Sequence, residues 1–179
     1  MRATALLLLA VLPVMACLAM PGAAFGSSAP FSSLYSSLKK CQTVESLGLP
    51  DRTIRRSDRE GVVRCPGQGG FTVYIVDQDP RSWLVLERGG VRAPLQREMV
   101  GEFKLGEFPT VSEQGMMEWR LDRRKAVRGF IVRVEYQIPG STEPASALLA
   151  FLLENGKPRL LGATTSNEKA RALIDSAAR

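Results

Sequence analysis

The chain has 179 residues, 24 Lys+Arg against 18 Asp+Glu, and no histidine. Without histidine there is no Ser-His-Asp triad, no Cys-His pair and no ordinary zinc site. The apolar share of 45% is that of a globular protein, and the net charge of +6 favours anionic partners.

The chain opens as a secretory leader. Arg2 is the positive n-region, Ala5 to Leu12 the apolar stretch, and Ala24-Phe25-Gly26 a small-x-small cleavage site. Residues 1–26 are therefore expected to leave, with Ser27 as the new N-terminus. A second reading stands beside it: Val14-Met15-Ala16-Cys17 resembles a lipobox, with Cys17 lipidated. A spanning helix needs about 20 apolar residues, and Pro13 and Pro21-Gly22 interrupt the run. What remains, residues 27–179, is one domain of about 150 residues, long enough to bury a core.

Two cysteines stay after the leader, Cys41 and Cys65. An even pair in an oxidising compartment is expected to be a disulfide. It would close a loop of about two dozen residues and hold the Arg-rich segment 50–60. A metal pair lacks further ligands. No cofactor-binding motif is present, and no metal or cofactor is expected.

In chain order, residues 27–37 are Ser-rich and stay open between helix and coil, with Phe31, Leu34 and Leu38 at helical spacing. Residues 39–45 are expected to form a short strand and 47–60 a polar loop. Residues 62–65 form a strand ended by the turn Pro66-Gly67-Gln68-Gly69-Gly70. Strands at 71–76 and 83–87 flank the turn Asp77-Gln78-Asp79-Pro80, and Gly89-Gly90 ends the second. Residues 91–116 give no clear pattern. Met117, Trp119 and Leu121 alternate with Glu118 and Arg120, as in a strand with one wet face. Phe130, Val132, Val134, Tyr136 and Ile138 alternate with Arg133, Glu135 and Gln137, an antiparallel strand. Residues 147–153 are continuously apolar, so that strand is expected to be covered on both faces. Asn155-Gly156 is a type I′ hairpin signal, with 158–163 as the return. Thr165 with Glu168 has capping-box spacing, and Ala170, Leu173, Ile174 and Ala177 make a helical stripe. The fold class is therefore mainly β (α+β). The expected architecture is a bent antiparallel sheet of about seven or eight strands with one C-terminal helix packed on it.

Little in this pattern carries chemistry. Ser36 and Lys39 have S-x-x-K spacing without the motifs that complete such a site. Glu102, Glu107, Glu118, Asp122 and Glu135 offer carboxylates, but spacing selects no glycosidase pair. The glycine-rich 66–70 turn lacks the lysine and helix of a phosphate loop. Trp83 and Trp119 are expected in the core. Basic residues gather at Arg52, Arg55, Arg56, Arg59 and Arg64, and at Arg120, Arg123, Arg124, Lys125 and Arg128. Arg123, Arg124 and Arg128 are the candidate contact for an anionic partner.

Leu38-Lys39-Lys40-Cys41, Cys65 to Gly70, Leu105-Gly106-Glu107-Phe108, Glu118-Trp119-Arg120-Leu121 and Leu161-Gly162 into residues 167–174 together resemble a family of small exported proteobacterial proteins. Members of that family often carry a further Cys-His pair where this chain has Leu160-Leu161. The resemblance implies a fold and an exported address and brings no activity with it. The expected function is a non-enzymatic periplasmic or secreted binding domain of the cell envelope. Its partner would be an envelope protein or an anionic envelope polymer, not nucleic acid, and a membrane only if Cys17 is lipidated. A cell-wall hydrolase is the alternative, as is a lysozyme-inhibitor-like protein, which shares only the scaffold type.

Overall fold

The computed structural model describes residues 31–112 and 115–179. The expected leader 1–26, Cys17 and Ser27 lie outside the described residues. The described chain begins with β1 (Ser32–Ser37) and β2 (Gln42–Thr43). A small hairpin follows, β3 (Ser46–Gly48) with β4 (Thr53–Arg55). Next comes a meander of β5 (Glu60–Pro66), β6 (Phe71–Gln78), β7 (Arg81–Arg88) and β8 (Val91–Pro94). One π-helical turn, Arg97–Gly101, precedes β9 (Glu107–Val111) and β10 (Met116–Leu121). The long strands β11 (Val127–Gln137) and β12 (Pro144–Glu154), then β13 (Lys157–Thr164) and α1 (Asn167–Ala177), complete the fold.

The mainly β class with one C-terminal helix is as the sequence implies. The strands number thirteen among the described residues and divide between two main sheets and the small hairpin, rather than forming one bent sheet. One sheet runs β2-β5-β6-β7-β8, the other β1-β10-β11-β12-β13. All pairings are antiparallel. β9 pairs with β11 at Val134 to Gln137, beyond the stretch that β10 occupies, so β9 and β10 share one edge of β11.

The sheets enclose a single core. Phe71 stacks on Trp119 at 5.7 Å, Trp119 meets Phe130 at 5.8 Å, and Phe130 stacks on Phe151 at 4.8 Å. This aromatic series crosses from one sheet to the other. Trp83 and Trp119 are both fully buried, and each such side chain contributes roughly 2 kcal/mol or more of burial energy. The continuous apolar run of β12 has the expected cause. Leu149, Phe151 and Leu153 enter the core between the sheets, while Leu148, Ala150 and Leu152 pack with Ile131 beneath Ala170 and Ile174 of α1. Gly129 permits that close approach, since a Cβ there would lie 2.4 Å from the Phe151 carbonyl oxygen and 2.7 Å from Ile174.

Four local expectations are corrected. The open segment around 32–37 is a strand, because it pairs with β10 along its whole length. Of the expected 39–45 strand only Gln42–Thr43 forms. The expected polar loop contains the β3–β4 hairpin, held by the paired and buried Leu47 and Ile54. The helix is capped one residue later than the Thr165–Glu168 spacing implies: the Ser166 side chain accepts from the Lys169 N–H at 3.3 Å. Glu168 then lies in the first turn, where the helix dipole favours an acid.

Candidate functional site

The registers gather four turns at one end of the sandwich. Arg88 pairs with Phe71 and with Val91, so the 68–70 and 89–90 turns lie together. Gly129 pairs with Leu152 and Glu154 with Lys157, so the 122–126 and 155–156 turns lie together. The two sheets meet at this end: a Cβ on Gly69 would strike Val127, and one cleft is walled by both Arg88 and Lys157.

The 122–126 turn presents its cations on a fixed backbone. The Asp122 carboxylate accepts from the Arg124 N–H at 2.8 Å and the Ala126 N–H at 3.0 Å. Lys125 takes a positive φ of 61° to close the turn. Partial desolvation pushes the Asp122 carboxyl up. The two backbone donors and the Arg128 guanidinium together outweigh that and hold it below the usual carboxylate value. Arg123, Arg124 and Lys125 are exposed and have no ion pair among the described residues. Arg128 differs from the other two candidate residues, because it is tied to Asp122 at 3.0 Å. The structure thus places Arg123 and Arg124 on the turn and Arg128 just beyond it in β11, already partnered with Asp122, while Lys125 has no ion pair among the described residues.

Two further cations at this end were not nominated by the sequence. Arg88 lies over the Phe71 ring at 5.0 Å, and Lys157 follows the 155–156 turn. Both are exposed, and neither has an ion pair among the described residues. The signal available was a cation beside each glycine turn; what the sequence lacked was the register that sets those turns side by side. Two other cations nearby are matched. Arg92 binds Glu87 and the Gly48 carbonyl, and Arg159 binds Glu154 at 2.8 Å, whose carboxyl that hydrogen bond draws downward.

Between these walls lies a cleft of about 550 Å³. Its accessible apolar wall includes Val91, 71% exposed, with Ala93, Pro94 and Pro158, and Phe71 and Leu95 stand behind it. Glu98 also lines the cleft. Its Oε1 meets Arg97 at 3.2 Å, while its buried Oε2 has no hydrogen-bond partner.

The other sequence candidates have structural roles. Cys41 and Cys65 form the expected disulfide, with Cα atoms 4.3 Å apart. Ser36 is buried and its hydroxyl accepts from the Trp119 indole at 2.9 Å, away from exposed Lys39. Gly69 and Gly70 take positive φ, and the Phe71 N–H returns to the Gln68 carbonyl, so 66–70 is a tight turn. In the first basic group, Arg52 binds Gln96 and Arg56 binds Glu45. Glu102 pairs with Arg97, while Glu107 and Glu135 are exposed.

Glu118 and Arg120 overturn the expectation of a wet strand face. Glu118 is 4% exposed and Arg120 7%. Arg171 of α1 clamps Glu118 with bonds of 2.7 and 3.1 Å, and Asp175 of α1 clamps Arg120 through both of its oxygens. Ser33 of β1 bonds both, donating to Glu118 and accepting from Arg120, and Tyr35 accepts from Arg171. The hydrogen bond to Glu118 raises the Arg171 pKa. This network fixes the helix to the sheet and takes Glu118 out of contention as an acid catalyst, since its oxygens are already engaged.

Among the described residues no group of three or more His, Cys, Asp or Glu side chains is placed to hold a metal. No described helix is long and apolar enough to cross a membrane. No family model, curated protein or solved structure matches the chain.

Proposed function

We propose that the chain is an exported, periplasmic, non-enzymatic binding domain of the cell envelope, and that its basic end engages an anionic partner. One observation carries this reading: Arg123, Arg124 and Lys125 stand unpaired on a turn whose backbone Asp122 holds in place. A cluster of one sign on a fixed backbone attracts anions with less backbone ordering at the moment of contact. The disulfide is compatible with an oxidising compartment. The chain also enters the fold at this end, since Ser32 pairs with Leu121 beside the turn.

The test is co-sedimentation of the folded protein with purified cell-wall sacculi and, separately, with phosphatidylglycerol vesicles. Each cation near an anionic surface is worth about 1 kcal/mol, so the three together amount to on the order of a hundredfold. R123E/R124E/K125E is expected to lose at least that much affinity, and raised salt is expected to weaken the parent likewise. Capture that is unchanged by charge reversal, or no capture of the folded parent on either surface at low salt, refutes the reading.

A further inference from the structure

We infer that the cleft between the β7–β8 hairpin and the 155–158 segment binds a single-chain anionic amphiphile that also carries a hydroxyl group. The inference deepens the basic-end reading, on which it rests for an anionic ligand at this end. The cleft volume of about 550 Å³ falls within the range of roughly 300–1,000 Å³ typical of small-molecule sites.

Its chemistry is divided in the way an amphiphile requires. Val91, Ala93, Pro94 and Pro158 give an apolar wall for a hydrocarbon chain. Val91 is the most exposed large apolar side chain among the described residues, at 71%, and it stands at the rim rather than in a packed surface. Arg88 comes from one sheet and Lys157 from the other, so an anionic head placed between them meets a cation on each side. Both are free to do so. Arg92, the third cation of the lining, is already committed to Glu87 and Gly48.

Glu98 refines the ligand class. A buried carboxylate oxygen without a donor is costly, and the Glu98 Oε2 is in that position. Glu98 also lines the cleft, so a ligand that offers only acceptors meets its carboxylate unfavourably, whereas a hydroxyl beside the anionic head can donate to it. A plain fatty acid is therefore a poorer fit than a lysophospholipid with a glycerol head.

The experiment uses 1-oleoyl-lysophosphatidylglycerol below its critical micelle concentration, titrated into the folded chain and followed by calorimetry and methyl NMR. The expected result is a saturable one-to-one complex, with shifts concentrated at Val91, Leu86 and Leu95. Affinity should fall in order for oleate, which lacks the hydroxyls, and for lysophosphatidylcholine of the same chain, which lacks the net charge. R88E/K157E, at two exposed positions, is expected to weaken binding at least about tenfold. Ala93→Phe, which fills the cleft, is expected to abolish it, and R88Q/K157Q serves if charge reversal disturbs the fold. No saturable binding overturns the inference. So do equal affinity for the choline lipid, or shifts centred instead on Leu161 and Leu173 in the groove beside α1. Loss of the lysolipid complex with vesicle or sacculus capture intact overturns the cleft assignment alone. A one-to-one lysolipid complex without surface capture overturns the basic-turn reading alone.

Discussion

Replacing Arg120 with methionine tests the buried ion network that ties α1 to the sheet. The side chain is only 8% exposed and makes two charged hydrogen bonds to Asp175 and one to Ser33. Methionine keeps most of the length and removes the charge, so Asp175 loses its partner. Breaking a buried pair by removing one member costs roughly 3–5 kcal/mol. Asp175 is 23% exposed and regains some water, which places the expected loss near the lower limit, about 3 kcal/mol. For a domain of this size that is a fall in Tm of roughly 6–12 °C. Urea unfolding of Arg120→Met, Asp175→Asn and the double variant supplies the cycle. A coupling of about 2 kcal/mol is expected between the two sites. R120M/D175L is expected to recover much of the loss, because Glu118, which loses its 3.7 Å ion pair with Arg120, keeps Arg171 at 2.7 Å and no charge is left stranded. If Arg120→Met lies within about 0.5 kcal/mol of the parent, or the coupling is near zero, the network is not what holds the helix.

Two further outcomes follow from the scaffold. The Cys41–Cys65 bridge closes a separation of 24 residues, worth about 3 kcal/mol by loop entropy. C41S/C65S, or reduction of the parent, is therefore expected to lower Tm by several degrees in calorimetry, and an unmoved Tm refutes it. The order of the 122–126 turn is expected to depend on pH. The Asp122 carboxyl is held below its ordinary value of 3.8, so its contribution is complete above that pH and is lost as pH falls through the lower folded value. Amide exchange at Arg124 and Ala126 should accelerate only below about pH 4 in the parent, and Asp122→Asn should remove that acid step; the same step in the variant would place its origin elsewhere.

Strands with a strong apolar pattern of their own were readable, and those without one were not: the short β3–β4 hairpin was missed although its partners are close in the chain. β11 and β12 declare themselves by alternation and by a run of apolar residues, and Asn155-Gly156 joins β12 to β13. β1 does not, because Ser32, Ser33, Ser36 and Ser37 have little strand preference of their own. Its conformation comes from β10, some 85 residues away, through the Ser33–Glu118 and Ser36–Trp119 hydrogen bonds. The same distance in sequence hid the charge network. Alternation alone puts Glu118 and Arg120 in water; only α1 folding back with Arg171 and Asp175 covers them. A trace of this was present, since Arg171 and Asp175, one helical turn apart, mirror in sign the Glu118 and Arg120 two residues apart on the strand.

The basic end is informative because of where the acids are. Near it, acids are spent on particular partners: Asp122 on Arg128, Glu154 on Arg159, Glu87 on Arg92. The opposite end, with the 79–80 turn and the start of β12, mixes Asp58, Asp79, Glu107 and Glu143 with Arg59 and Arg81. From the sequence, Arg123, Arg124 and Arg128 were the candidate contact for an anionic partner; the structure pairs Arg128 with Asp122 and leaves Arg123 and Arg124 without an ion pair among the described residues. Pairing sorts them: a cation already bonded to a neighbouring acid has little left for a ligand, whereas Arg88, Arg123, Arg124, Lys125 and Lys157 have no acid partner among the described residues. The surface they mark is drawn by the two sheets jointly, so it exists only in the folded chain. Unfolding should separate Arg88 from Lys157 and abolish the one-to-one lysolipid complex even though every positive charge remains.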